Sequence, residues 1–278
     1  MKFTKMHGLG NDYVYVDTFT ETVANPRALA VAMSRPHHGV GADGLVLIGP
    51  SAEADFAMRM FNADGSEGEM CGNAARCIGK YVYERGLTRK TRLTLATRGG
   101  TKALELQVRG GRVERVTVDM GEPTLAPAGI PVDLPGDVVQ DHPLVVMGRT
   151  WAITCVGMGN PHAVIFVDDP QSIDVHGIGA RIESDPLFPN RTNVEFVRVV
   201  RRDLLEMRVW ERGSGETLAC GTGAAASLVA AVMHGAADRR AVVRLAGGEL
   251  LIDWDAHSNR VHQSGPAAFV FDGVWLEA

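Results

Sequence analysis

The sequence predicts an α/β (α+β) protein of two pseudo-symmetric halves, each a sheet curled around a central helix. Three observations carry this. Two Cys-Gly motifs, Glu69-Met70-Cys71-Gly72-Asn73-Ala74-Ala75 and Leu218-Ala219-Cys220-Gly221-Thr222-Gly223-Ala224, stand 149 residues apart. Short β-branched segments separated by Gly, Pro, Asn or Asp recur around both motifs, the pattern of strands and tight turns. The run from Ala224 to Met233 is apolar nearly all round. A helix without a polar face is buried on every side, and about ten residues are too few to cross a bilayer.

The elements follow in chain order. Gly8-Leu9-Gly10-Asn11 opens the first half and precedes a strand at Tyr13–Val16. A short helix over Arg27–Ser34 comes next. Strands are expected at Gly44–Ile48, Asp55–Asn62, Arg92–Ala96, Leu104–Val108 and Val113–Val118, with the first main helix at Asn73–Arg85 ending on Gly86. A linker at Gly121–Val145 carries Pro123, Pro127, Pro131, Pro135 and Pro143. The second half repeats the plan. Strands are expected at Thr150–Val156 and Ala163–Val167, the second following Gly157-Met158-Gly159-Asn160. A short helix lies around Gly177–Glu183. Strands at Thr192–Val200 and Leu205–Trp210 lead to the second main helix, Thr222–His234, which stops at Gly235. Strands at Ala241–Leu245, Glu249–Trp254 and Ala267–Phe271 complete the chain.

The doubling is tested at a fixed offset. The spacing that superposes Cys71-Gly72 on Cys220-Gly221 also superposes Gly8-Leu9-Gly10-Asn11 on Gly157-Met158-Gly159-Asn160, and Gly86 on Gly235. It places Asn62 against Glu211 and Gly44 against Asn193. Gly65-Ser66 and Gly99-Gly100 match Gly213-Ser214 and Gly247-Gly248 one residue short, a loop-length change.

Bulk properties exclude several classes. With 45% apolar residues in 278, the chain can bury a sizeable core. A net charge of −5 without a basic stripe argues against a nucleic-acid partner. Met1–Gly8 lacks the apolar stretch of a signal peptide, and no run approaches a membrane span. Four cysteines in a chain this long are no disulfide scaffold, so a cytoplasmic, reduced setting is expected.

The chemistry concentrates on the duplicated thiols. Each precedes a helix start, where unpaired N–H groups and the helix dipole favour thiolate and a lowered pKa is expected. Cys77 and Cys155 have Ala226 and Met6 as repeat mates, and these unduplicated thiols are read as packing residues. No C-x-x-C occurs and no His stands at ligand spacing, so no metal is expected. Gly72-Asn73 and Gly221-Thr222 would offer backbone N–H groups to an anion such as a carboxylate. Asn11 and Asn160 would add amide donors and acceptors. His162 and Glu211 could hold or pass a thiol proton, and Arg212 could pair with a ligand carboxylate. His37-His38 reads as a solvated loop, and Arg198, Arg201 and Arg202 as an exposed strand end and turn.

At this point the chain resembles the diaminopimelate epimerase family. The resemblance rests on Met70-Cys71-Gly72-Asn73-Ala74-Ala75-Arg76 and on Glu211-Arg212-Gly213-Ser214-Gly215-Glu216-Thr217 running into Ala219-Cys220-Gly221-Thr222-Gly223. Met6-His7-Gly8-Leu9-Gly10-Asn11-Asp12, Phe61-Asn62-Ala63-Asp64-Gly65-Ser66, Gly159-Asn160-Pro161-His162 and Arg191-Thr192-Asn193-Val194-Glu195 extend it over nearly the whole chain. It implies a cofactor-free isomerase, without pyridoxal phosphate, that converts LL-2,6-diaminopimelate to the meso isomer in lysine and peptidoglycan-precursor biosynthesis. It also implies two mostly antiparallel halves with the active site in the cleft between them, and a homodimer. The last strand would return to the first half, giving domains 1–120 plus 266–278 and 121–265. Carried over, Cys71 and Cys220 are the acid/base thiols, and His162 and Glu211 tune them. Asn11, Asn62, Asn160, Asn193, Glu211 and Arg212 bind substrate, and Gly72-Asn73 and Gly221-Thr222 hold the carboxylate of the reacting centre. Some members carry Gln where this chain has Gly44, so Gly44 is left out of the site. Two rival readings are a racemase resembling proline racemase, against which Asn73, Asn160-Pro161-His162 and Glu211-Arg212 argue, and a non-catalytic amino-acid binding protein, against which two retained thiols argue.

Overall fold

A computed structural model describes residues 1–276. The chain divides into two compact units: Met1–Asp119 with the segment from Ser264 onward, and Met120–Gln263. Residues 277 and 278 of the expected 266–278 segment lie outside the described residues.

In the first unit, β1 (Lys2–Gly8) pairs antiparallel with β2 (Asn11–Asp17). Helix α1 (Pro26–Ser34) then carries the chain to β3 (Gly44–Gly49), parallel to β2. Parallel neighbours need such a crossover. Asn25 caps α1 by accepting from the Ala28 N–H, and Pro26 fits its first turn, where no N–H is needed. β4 (Phe56–Asn62) runs antiparallel to β3 and carries the short β5 (Glu67–Gly68). Helix α2 (Gly72–Glu84) leads to β6 (Arg92–Ala96), parallel to β4, and β7 (Lys102–Arg109) and β8 (Arg112–Gly121) follow antiparallel.

The second unit repeats this order. β9 (His142–Val146) and β10 (Arg149–Gly157) form a hairpin, and β11 (Pro161–Phe166) pairs with β10. Helix α3 (Val175–Glu183) crosses to β12 (Asn193–Arg201), parallel to β11. β13 (Leu204–Glu211) runs antiparallel to β12 and carries β14 (Gly215–Glu216). Helix α4 (Gly221–Met233) leads to β15 (Arg240–Leu245), parallel to β13, then to β16 (Gly248–Trp254) and β17 (Val261–Gly265). Both main helices occupy positions offset by 149 residues, and so do α1 and α3. A side-chain pair repeats with them: Arg59–Glu67 in the first unit and Arg208–Glu216 in the second, each at 2.8 Å.

β18 (Ala268–Val274) pairs antiparallel with β1 from Lys2 to His7. It thus stands beside the first strand of its unit as β9 stands beside β10. The strand was expected over Ala267–Phe271 and runs three residues further.

The apolar helix is where its sequence demands. α4 packs against β10, β11, β12, β13, β15 and β16, and Ala224, Ala225, Ala226, Leu228, Val229, Ala230 and Ala231 are wholly buried. The sheet of the second unit therefore wraps α4. A separate cluster around Trp151, Ile153, Val194 and Phe196 fills the face beneath α3. α2 is more amphipathic, keeping Lys80 and Glu84 in an ion pair at 2.7 Å.

Five strands escape the sequence reading: β1, β5, β9, β14 and β17. The linker expectation needs correction as well. Ile130, Val132 and Val139 lie in the core of the second unit, and β9 begins inside the segment. Pro123 and Pro127 are buried, whereas Pro135 and Pro143 are exposed, so the segment is packed in part and solvated in part.

Truncating Leu228, wholly buried on α4, to Ala should cost about 2–5 kcal/mol, from lost transfer energy and the cavity left behind. Denaturant unfolding of the variant should show the loss as a lower midpoint.

Candidate active site

The topology gathers the sequence-predicted residues at one end of each sheet. In the second unit β11 and β12 are parallel, with His162 in register with Asn193, so both strands start at the same end. β13 runs antiparallel and finishes there at Glu211, and Cys220 is the N-cap of α4. The same logic in the first unit joins Asn11 at the start of β2, Asn62 at the end of β4 and Cys71 at the N-cap of α2.

Around Cys71 the polar groups form a chain. Asn11 Oδ1 accepts from the Cys71 thiol at 3.4 Å and from Asn73 Nδ2 at 3.1 Å. Asn11 Nδ2 donates to Asp43 at 2.7 Å, and that carboxylate also accepts the Asp12 N–H. Burial raises the Asp43 pKa against the hydrogen bonds that favour its charge. Asn73 Oδ1 accepts from the wholly buried Arg76 at 2.8 Å. Asn62 donates to Ser66 Oγ and closes its own turn.

Around Cys220 the polar groups close on themselves. The sulfur accepts from the Gly223 N–H at 3.3 Å and lies 3.5 Å from Thr222 Oγ1. Thr222 Oγ1 accepts from Asn160 Nδ2, whose Oδ1 accepts from His162 Nε2 at 2.9 Å. With Nε2 holding a proton, His162 Nδ1 shares a second one with Glu195 across 2.6 Å. His162 and Glu195 are both wholly buried. A Cβ on Gly223 would stand 2.7 Å from Glu195 Oε1 and 3.2 Å from Cys220 Sγ, so this glycine makes room for carboxylate and sulfur to approach one another. Glu211 accepts from Thr217 and from the Cys220 thiol, and burial raises its pKa.

These surroundings correct the expectation of a lowered pKa at Cys220. Burial, then the charges of Glu211 and Glu195, push this thiol well above the ordinary value, outweighing the bond from Gly223. The helix terminus contributes as expected, but two carboxylates from β12 and β13 oppose it. Cys77 and Cys155 are buried, as packing residues should be, and burial pushes their thiols up to about 11 and about 12.

Asn193 is 3% exposed and committed to backbone, accepting from the Arg212 N–H at 2.9 Å and donating to the Pro161 carbonyl at 2.7 Å. It ties three segments of the site together. Arg212 is exposed, with Nη1 on the Asn190 carbonyl. A Cβ on Gly44 would fall 2.0 Å from the Phe61 carbonyl oxygen, so this strand pairing accepts glycine alone at that position. His37 and His38 are exposed as expected. Glu195, Asp43, Arg76 and Thr217 are the polar residues that sequence reasoning missed. The repeat held a signal for two of them, since Glu195 faces Val46 and Arg76 faces Ala225 at the common offset. Among the described residues no cluster of His, Cys, Asp and Glu could hold a metal ion, and no helix is long and apolar enough to cross a membrane.

The fold is shared with solved structures. A probable proline racemase from Agrobacterium radiobacter K84 superposes with a TM-score of 0.74 at 14% identity, over 99% of this chain and 92% of that one. A PhzF family phenazine biosynthesis protein from Bacillus anthracis superposes at 0.72 and 18% identity, over 99% of both chains. At such identities the likeness is one of fold.

Sequence shows the family. The Diaminopimelate epimerase family profile matches residues 3–126 and 154–270. Diaminopimelate epimerases from Acetivibrio thermocellus and Desulfovibrio desulfuricans are 55% and 54% identical, covering 98% and 99% of this chain and 98% of each relative. One from Methanococcus maripaludis is 50% identical over 98% of this chain and 99% of its own length. The chain belongs to the diaminopimelate epimerase family.

Stability should fall in alkali. An unfolded thiol ionises near pH 8.5, whereas Cys77 and Cys155 hold their protons to about 11 and about 12. Above pH 9 the folded chain therefore binds more protons than the unfolded one, and stability declines by about 1.4 kcal/mol per pH unit for each such thiol until its folded pKa is passed. Denaturant midpoints at pH 8 and pH 10 should show the drop, and Cys155→Ala should shrink it.

Proposed function

We propose that the chain epimerises LL-2,6-diaminopimelate to the meso isomer by a two-base proton transfer, with Cys71 and Cys220 as the two acid/base groups. The observation that carries this reading is the placement of a thiol at the N-cap of each main helix, at matching points of a doubled chain of this family. One thiolate removes the Cα proton. The opposite thiol delivers a proton to the other face of the same carbon, and the reverse reaction exchanges the roles. The product thus gains its proton from sulfur, and sulfur regains one from the substrate or solvent.

The carboxylate of the reacting centre binds the first-turn N–H groups of Gly72-Asn73 and Gly221-Thr222. On α4 these precede the first ladder bond, from the Ala224 N–H to the Cys220 carbonyl. Negative charge that develops on the carboxylate as Cα loses its proton is stabilised there. Asn11, Asn62 and Asn160 present amides to the substrate, and the Glu211-Arg212 pair meets its charged groups. Asn193 acts by holding Arg212 and Pro161 in place. His162 and Glu211 adjust the Cys220 proton: the raised pKa of Cys220 favours the thiol, the form that donates. The burial of Cys220 and the carboxylates beside it hold it in the thiol form.

The substrate is a small molecule used in lysine and peptidoglycan-precursor biosynthesis, and the reading places the protein in the cytoplasm as a homodimer. Asymmetry between the halves, Asn62 against Glu211 and Tyr13 against His162, supplies the means to distinguish the two ends of the substrate.

Cys71→Ala and Cys220→Ala should each abolish epimerisation of diaminopimelate, measured with solvent deuterium incorporation at Cα. Full turnover by either single variant would overturn the two-base reading. A panel including proline and free lysine should show no turnover comparable to that of diaminopimelate.

A further inference from the structure

We propose that Arg76 is a positioning residue for the Cys71 half of the reaction, the buried countercharge of the Cys71 thiolate. The proposal rests on the reading that Cys71 reacts as a thiolate. Arg76 is wholly buried, and among the described residues it forms no ion pair with a carboxylate. Nη2 donates to Asn73 Oδ1 at 2.8 Å, Nε to the Pro266 carbonyl at 3.2 Å, and Nη1 has no hydrogen-bond partner. A buried, permanently charged guanidinium is costly to desolvate and persists where an anion compensates it.

The surroundings leave few candidates for that anion. Cys77, Cys71 and Tyr15 bear on Arg76 with negative charge, and Arg115 bears on it with positive charge. Burial pushes the Cys77 thiol up to about 11 and raises the Tyr15 phenol well above its ordinary value, so both are neutral near pH 7. Of these three, Cys71, half-buried at the N-cap of α2, is the one joined to Arg76 through Asn73 and Asn11. The charged groups on the other side are Asp43, reached through Asn11, and Asp12, which pairs with Lys5 at 2.7 Å.

The fork also has a geometric task. By occupying Asn73 Oδ1, Arg76 fixes which way that amide faces, so Nδ2 points to Asn11 Oδ1, the atom that accepts from the Cys71 thiol. Gly8, in the opening G-x-G-N, makes the room: a Cβ there would stand 2.9 Å from Arg76 Nη2. The second half has Ala225 at the position of Arg76, so this device belongs to one thiol only.

The test reads Cys71 directly, without turnover. In a Cys220→Ala background, iodoacetamide alkylation of Cys71 is followed by peptide mass spectrometry from pH 5 to pH 10. Arg76→Met should slow alkylation at pH 7 roughly tenfold, the effect of a one-unit rise in the thiol titration. It should leave the limiting rate at high pH unchanged. Arg76→Lys, which keeps the cation and loses the fork, should retain most of the low-pH rate in that assay while lowering kcat in the Cys220-intact enzyme. An Arg76→Met profile that overlays the parent's overturns the proposal. Where Arg76→Met does not fold, Arg76→Gln serves, since it removes the charge and keeps a polar side chain: the same alkaline movement is expected, and an unmoved profile overturns the proposal. Alkylation is independent of diaminopimelate turnover, so failure of the two-base reading would appear in the single-cysteine activity assays and not here.

Discussion

Burial of α4 on every side is the constraint from which the second unit follows. A helix with no polar face cannot rest on one sheet surface, so six strands wrap it. Wrapping leaves only the helix ends as outlets, and the N-terminal end carries unpaired N–H groups and positive potential. The chemistry is therefore confined to the rim where β11 and β12 begin, β13 ends and α4 starts. The first unit obeys the same rule with a less apolar helix, and its site residues occupy the matching rim.

Within that shared plan the two thiols have opposite company. Cys220 faces Glu211 and Glu195 and is held as a thiol, with His162 sharing a proton with Glu195 close by. Cys71 faces Asn11 and lies near the buried charge of Arg76. Doubling produced two equivalent helix termini, and a few unmatched substitutions made them electrostatically different: Glu195 for Val46 and Arg76 for Ala225 at the common offset. Polar groups introduced at wholly buried positions are costly unless satisfied, which is why each sits in a hydrogen-bonded chain.

The sequence made the large features legible because they are periodic or repeated. Both main helices fell within a residue or two of their ends, since Gly86 and Gly235 stop them and Cys-Gly starts them. The strands that escaped lack that contrast. β1 mixes Lys, Thr and His with Phe and Met, β17 reads Val-His-Gln-Ser-Gly, and β9 begins in a proline-rich stretch. The two thiols and the pair Asn11 and Asn160 announced themselves by duplication. Glu195, Asp43 and Arg76 did not, because a buried charge looks like any surface charge until its partners are known. The upward direction of the Cys220 pKa escapes a local reading for the same reason: its first cause is burial, and Glu195 adds to Glu211 from β12, earlier in the chain.

The place of β18 bears on how the protein is made. Thr4 and Asp272, hydrogen-bonded side by side, are 268 residues apart. During synthesis β1 precedes β18 by the whole second unit, so the edge that β18 covers stays open while that unit is translated. The second unit, continuous from Met120 to Gln263, can finish its sheet while β1 still shows an unpaired edge. Completion of the Cys71 half is thus tied to translation of β18 after the second unit, and a product truncated before β18 would carry a finished second unit and an open first one.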